Sequence, residues 1–386
     1  MTASVIAQVV MVLTLLLMIT GKTPIYMTAI VGATLSALIA GFPIMGSAEM
    51  TIAKMVNTGL NPVIADMTGI LLFIGIMQAT GFLDVIIRDI VRVGNKLGGG
   101  TGVCSAGGIA AGVIGALTGF THPTQVALVA TAGISFGLFN VLGLIACLTI
   151  FLVSAIRCNA DMRRRGVVIT KEEQARIMAE IENREYSTTS LRAFLPFLVL
   201  FIGFVAGFPV FLVGLASAIV CMLLSGKPMR EAEAAMLKGV SLIATPIVAT
   251  IGFLFMSTVI KQVGLVQTMS DAVGPVLSVA PVLILFGVAF LTGFLTQSYA
   301  ASVSVLVPFL QVVLQTGADP FAACFAAASG ASLIQYFLTG GPVAALATVI
   351  PVIPGCDLKT ANAFQRPSIL AGCAMAFLIT VILTLV

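Results

Sequence analysis

Two short polar stretches interrupt long apolar runs: LTGFTHPTQVA, from Leu117 to Ala127, and LTGFLTQSYAA, from Leu291 to Ala301. The first supplies Thr118, Gly119, Thr121, His122, Pro123, Thr124 and Gln125. The second supplies Thr292, Gly293, Thr296, Gln297 and Ser298, with Ser302 just beyond. His122 is the only histidine in the chain, and no charged residue stands between Lys96 and Arg157. Pro123 has no N–H and disfavours a helical conformation at His122, so a helix should break there. Helix N-termini at such a break present free N–H groups and a positive dipole end, which suit a carboxylate. Exposed carbonyls and hydroxyls at the same break suit Na⁺. His122 can relay a proton near neutral pH, or act as a neutral donor to substrate or backbone.

A third stretch follows the second. Ser329, Ser332 and Gln335 recur on one helical side, and TGGP (339–342) then breaks the helix at Gly340 and Gly341. Lys261 ends the apolar segment 240–260. It can snorkel to the interface, or pair with a substrate carboxylate or with Asp271. Asp84, Arg88, Asp89 and Arg92 fall at helical spacing on FLDVIIRDIVRVGNK, an amphipathic interfacial helix with local ion pairs. The threonines and serines have a plainer use as well, packing helices by bonding to their own backbone or across to a neighbour.

The elements that must position these residues are membrane helices. Of 386 residues, 59% are hydrophobic and 9% charged, against about 25% charged in a soluble domain. The fold class is an all-α polytopic membrane protein. Spans are expected at about 3–20, 24–41, 61–81, 139–157, 192–207, 209–225, 240–260, 319–338 and 367–386. No signal peptide is evident, because the first apolar run lacks a basic flank and is long enough to be a span. Two further apolar regions, 101–136 and 276–315, are interrupted at the quoted stretches and read as re-entrant hairpins. One hydrophilic loop, 157–192, holds 14 of the 34 charges. Within it TKEEQARIMAEIENRE reads as a short helix, with Thr170 as N-cap and Glu173 completing a capping box.

The halves repeat. TPIYMTAIVGATLSALIAG aligns with FPVFLVGLASAIVCMLLSG, pairing Pro24 with Pro209 and Gly41 with Gly226. GILLFIGIMQATGFL aligns with GFLFMSTVIKQVGLV, pairing Gly81 with Gly264, and the two LTGF stretches follow in the same order. Repeats broken at matching places mark secondary transporters and their midplane sites. This gives a first repeat at 1–157 with hairpin 101–136, a linker at 158–191, and a second repeat at 192–386 with hairpin 276–315. The basic residues place 157–192 and 226–239 in the cytoplasm. Counting 101–136 as a hairpin and 139–157 as one crossing places 157–192 outside, so the two rules disagree over this loop.

On KMVNTGLNPVIADMTGILLFIGIMQATGFLDVII (54–87) and the two hairpins, the chain resembles the ion transporter superfamily of organic-anion carriers. It is most similar to the anaerobic C4-dicarboxylate uptake C family, with gluconate-permease-like spacing. The GGGTG and GFTHPT segments also resemble the large membrane subunit of tripartite carboxylate transporters. The tips here read THPT and TQSY, without the Asn of the Ser-Asn-Thr triplet common in that superfamily. The resemblance implies secondary active transport of a small carboxylate in a cytoplasmic (inner) membrane, coupled to Na⁺ or H⁺ or run as exchange. It also implies inverted repeats and fits a homodimer.

Other classes are less well served. A cation antiporter needs a buried carboxylate, and Asp66 is the best candidate for it. A membrane enzyme needs clustered ligands or a nucleophile–base set, and one histidine with few buried acids argues against it. Seven cysteines without a CxxC pair read as apolar fillers, and no nucleotide-binding motif or cofactor site is present. The net charge of +4 does not suggest nucleic acid. Lipid and the substrate are the expected partners.

Overall fold

A computed structural model describes residues 3–20, 25–58, 62–96, 123–166, 170–206, 208–241, 244–277, 279–296, 299–337 and 358–385. These residues form seventeen helices and no strand. The all-α membrane class is therefore the observed one. The helices fall close to the expected segments: α1 is Ala3–Thr20, α2 is Ile25–Ile39 and α3 is Ile52–Thr58. The chain then continues through α4 (Pro62–Ala79) and α5 (Phe82–Lys96). Two helices, 138–164 and 362–385, are long and apolar enough to cross a membrane, and the bent pair 68–79 and 82–90 makes a third if it counts as one span. Other apolar helices have 10–17 residues. A 16-residue helix is only about 24 Å long, short of the roughly 30 Å hydrocarbon core.

The residues divide by packing into two compact units. One comprises Met1–Ile64, Gly112–Cys147 and Thr245–Val386, and the other Ala65–Ala111 and Leu148–Ala244. Each unit gathers segments that lie far apart in sequence.

The second unit is built on the larger part of α4, on α5, and on the part of α7 (Leu138–Arg164) beyond Cys147. It also holds α8 (Lys171–Glu182), α9 (Ser190–Val205), α10 (Val210–Ser225) and α11 (Met229–Ser241). Helix α8 starts directly after Thr170, where the sequence places its cap. The core joins Phe73, Ile76, Met77, Phe82 and Val85 to Ala193, Ala218, Cys221, Ala232 and Met236. Glycines let the backbones meet. A Cβ on Gly69 would lie 2.6 Å from the Phe211 backbone, and one on Gly75 would lie 2.5 Å from the Ala235 carbonyl oxygen. Charges gather on α5 as expected: Arg88 pairs with Asp89 at 2.9 Å, and Arg92 reaches Asp89 at 3.5 Å and Glu182 at 3.4 Å. Arg88 also donates to Ser190 Oγ at 2.7 Å and lies over the Tyr186 ring. Ser187 donates to the Thr80 carbonyl at 2.6 Å.

The first unit contains α1–α3, α6 (Pro123–Ala132), nearly all of α12 (Ala244–Gln262) and α13 (Leu265–Leu277). It continues with α14 (Pro281–Thr296), α15 (Tyr299–Gln315), α16 (Pro320–Ile334) and α17 (Leu358–Leu385). Its centre is α16. Every residue from Ala322 to Ile334 is buried, as a helix apolar on all sides must be. Its alanines and Gly330 keep the surface flat, so α14 packs closely against it. A Cβ on Gly293 of α14 would run into the Ala331 carbonyl oxygen. Asp319 caps α16 by accepting from the Ala322 N–H at 2.8 Å, and Pro320 takes the first helical position, where no N–H is missed.

Gly81 separates α4 from α5 and Gly264 separates α12 from α13, with φ of 71° and 77°, a region that only a residue without a Cβ reaches cheaply.

Candidate functional site

Helix α6 runs from Pro123 to Ala132, and 121–122, where the sequence places the break, lie outside the described residues. Helix α14 runs to Thr296 and α15 runs from Tyr299; 297–298, between them, lie outside the described residues. Thr118, Gly119, Thr121, His122, Gln297, Ser298, Gly340 and Gly341 lie outside the described residues. So do 97–122, most of the first hairpin, and the TGGP break.

Five of the remaining candidates, Gln125, Thr296, Ser302, Ser332 and Gln335, are joined within the first unit by side-chain hydrogen bonds. Gln335 donates through Nε2 to Ser302 Oγ at 2.8 Å. Ser302 Oγ is also 3.3 Å from Thr296 Oγ1. Gln125 donates through Nε2 to Ser332 Oγ at 2.6 Å. Ser332 and Gln335 are one helical turn apart on α16, so the three bonds join four helices. The starts of α6 and α15 meet the ends of α14 and α16. Thr124, Gln125, Ser302 and Ser332 are fully buried, Gln335 is 1% exposed, and Thr292 is buried beside them in sequence on α14.

These bonds separate the two uses open to such residues. Thr14, Thr80, Thr131, Ser217, Ser329 and Thr380 each bond back to a carbonyl four residues earlier in their own helix. That is the packing use, and it includes Ser329 of the third stretch. Ser302 and Ser332 instead receive amide side chains from other elements. Side chain–side chain bonds are the rarest kind in folded proteins. Among the described residues the Gln335 carbonyl oxygen Oε1 is buried without a hydrogen-bond partner, which is costly unless something else supplies a donor or a cation.

Gly293 does a different job. It is the close-packing point between α14 and α16, where its missing side chain makes room for the Ala331 backbone.

Sequence reasoning missed three residues at the start of α17. Asn362 and Gln365 donate to the Tyr336 carbonyl at 3.3 and 2.9 Å. Arg366 donates through Nε to the Phe337 carbonyl at 3.1 Å and to Asn362 Oδ1 at 3.3 Å, and its guanidinium lies 5.2 Å from the Phe337 ring centre. Together they hold the chain where α16 has just ended, next to Gln335. Arg366 is half-buried and forms no ion pair among the described residues. The signal was present: 362, 365 and 366 share one helical face.

Lys261 is not part of this cluster. It lines a separate cavity of about 520 Å³ with Ser257, Gln262, Gln311 and Gln315. Among the described residues, no group of three or more His, Cys, Asp or Glu side chains is placed to hold a metal ion.

No protein-family model matches the chain, and no curated protein matches it by sequence. Among solved structures, the chain is similar to the crystal structure of the Alcanivorax borkumensis YdaH transporter, described as having an unusual topology. The TM-score is 0.60 at 14% identity, covering 96% of this chain and 98% of that one. The chain thus has the fold of a multi-pass helical membrane protein.

Proposed function

We propose that this protein is a secondary active transporter of a small organic anion, a C4-dicarboxylate or a related carboxylate or sugar acid. The observation that carries the reading is the chain of bonds from Thr296 through Ser302 to Gln335, with Gln125 and Ser332 beside it. It lies where two helices start and two end. The starts of α6 and α15 offer N–H groups and positive dipole ends to a carboxylate. The ends of α14 and α16, with Gln335 Oε1, offer oxygens to a coupling Na⁺. A proton carried by His122 is the other coupling route. Arg366, with guanidinium hydrogens to spare, supplies the full positive charge for the anion.

The two hairpins and the aligned repeats fit alternating access, in which a hairpin-bearing element moves against a scaffold and exposes the site to one side at a time. The similarity to a transporter structure at the level of fold supports this mode, as does the likeness of the sequence to dicarboxylate and gluconate carriers. An inner-membrane location and a homodimer belong to the same reading.

The test is uptake by the purified protein in sealed proteoliposomes, offered labelled succinate, gluconate and lactate under imposed Na⁺ or pH gradients. Gradient-driven accumulation of at least one is expected. No accumulation of any, under either gradient, would remove the reading.

A further inference from the structure

The cavity at Lys261 lies at the far end of the helices that begin at the polar cluster. Helices α6 and α15 both run from the cluster to it, so Gln311 stands about 14 Å along α15 from Ser302. Its walls come from one face of α12 (Leu254, Ser257, Thr258, Lys261), from Gln311, Leu314 and Gln315 of α15, and from Ala130 and Thr131 of α6. About 520 Å³ falls within the usual range of small-molecule sites, roughly 300–1,000 Å³.

Its chemistry is one-sided. Lys261 is the only charged residue among the described lining, and no acid faces it there. The Lys261 ammonium makes no hydrogen bond or ion pair among the described residues. The Gly133, Gly264 and Gly317 N–H groups take the Ala130, Lys261 and Leu314 carbonyls at 3.2, 3.3 and 3.2 Å. Gln311 is not free to turn. Its Nε2 donates to both the Ser257 carbonyl at 3.1 Å and Ser257 Oγ at 2.6 Å, which fixes α15 to α12 at the cavity wall. Leu254, Val266, Leu314, Met50 and Ala130 form the apolar part of the wall, beside Thr131, Thr258, Gln262 and Gln315.

We infer that this cavity is a second ligand site, which takes an amphiphilic monoanion. The apolar body lies against Leu254, Val266 and Leu314, and the anionic head meets the Lys261 ammonium at the exposed rim. The same head-and-body chemistry belongs to an aryl carboxylate in solution and to an anionic lipid. This is a claim about binding and does not depend on transport by the cluster at Ser302 and Gln335.

The test is calorimetric titration of phenylacetate into the full-length protein in phosphatidylcholine nanodiscs. Phenylacetamide, the same shape without the charge, is the control. Saturable binding of phenylacetate is expected, with phenylacetamide at least tenfold weaker. Lys261→Met should weaken phenylacetate at least tenfold, and Lys261→Arg should restore most of it. Both variants change an exposed side chain and should fold, which an unchanged melting temperature checks. Repetition in phosphatidylglycerol nanodiscs separates the two sources. Competition there assigns the site to lipid, and undiminished affinity assigns it to the soluble carboxylate. Absence of phenylacetate binding in phosphatidylcholine discs, equal binding of phenylacetamide, or wild-type affinity in Lys261→Met would each overturn the inference. Loss of proteoliposome transport with this binding intact would count against the transport reading alone.

Discussion

Gln335 and Ser302, 33 residues apart, meet through Nε2 and Oγ at 2.8 Å, and this bond ties the end of α16 to the start of α15. Both side chains are buried, so the bond is made away from bulk water, and the Gln335 Oε1 beside it has no partner among the described residues. If this is where substrate or its coupling ion is held, Gln335→Ala should lower uptake about tenfold or more, near 1.4 kcal/mol of lost transition-state stabilisation. Ser302→Ala should lower it by a similar factor. Initial uptake rates per folded protein in liposomes measure this, and wild-type rates in both variants would move the site elsewhere.

Arg366 predicts a dependence on geometry as well as charge. Its guanidinium is held by the Phe337 carbonyl and lies over the Phe337 ring, an arrangement an ammonium cannot reproduce. Arg366→Gln should raise the KM for a carboxylate substrate, and Arg366→Lys should recover little of the loss. Full recovery by lysine would show that only the charge matters.

Gly293 should report on stability. A methyl group there meets the Ala331 carbonyl, so Gly293→Ala should cost about 1–3 kcal/mol by overpacking, and Gly293→Leu should prevent assembly of the first unit. Thermal denaturation in detergent distinguishes these outcomes. A fully stable Gly293→Leu would contradict the close contact of α14 and α16.

The second unit makes its own prediction. Arg88 holds Asp89 and Ser190 while lying over Tyr186, and so fastens the segment 183–189 to α5. Its side chain is 11% exposed. Arg88→Met should cost about 1.5–3 kcal/mol of local stability, the worth of hydrogen bonds to a charged group. Limited proteolysis should then cut faster within 183–189, with no change elsewhere.

Much of the fold was legible in the sequence because hydrocarbon demands long apolar helices and breaks are costly there. The helices fall close to the segments that the apolar runs mark, with α6 running from Pro123 and α14 to Thr296. The partners within the cluster were not legible. Periodicity puts Ser332 and Gln335 on one face, but nothing local says that Gln125, 207 residues before Ser332, lies across from it. Asn362, Gln365 and Arg366 precede the apolar span that starts near 367, so hydropathy alone does not place them on its helix. The two packing units were hidden for a similar reason. Each gathers segments far apart in sequence, and apolar patterning carries no record of which helices touch.

The most direct measurement is Na⁺- or pH-gradient-driven uptake of labelled succinate, gluconate and lactate into proteoliposomes, comparing wild type with Gln335→Ala at matched reconstitution. The account predicts accumulation of at least one carboxylate by the wild type and a loss of about tenfold or more in the variant. Equal accumulation by both, or none by the wild type under either gradient, would contradict it.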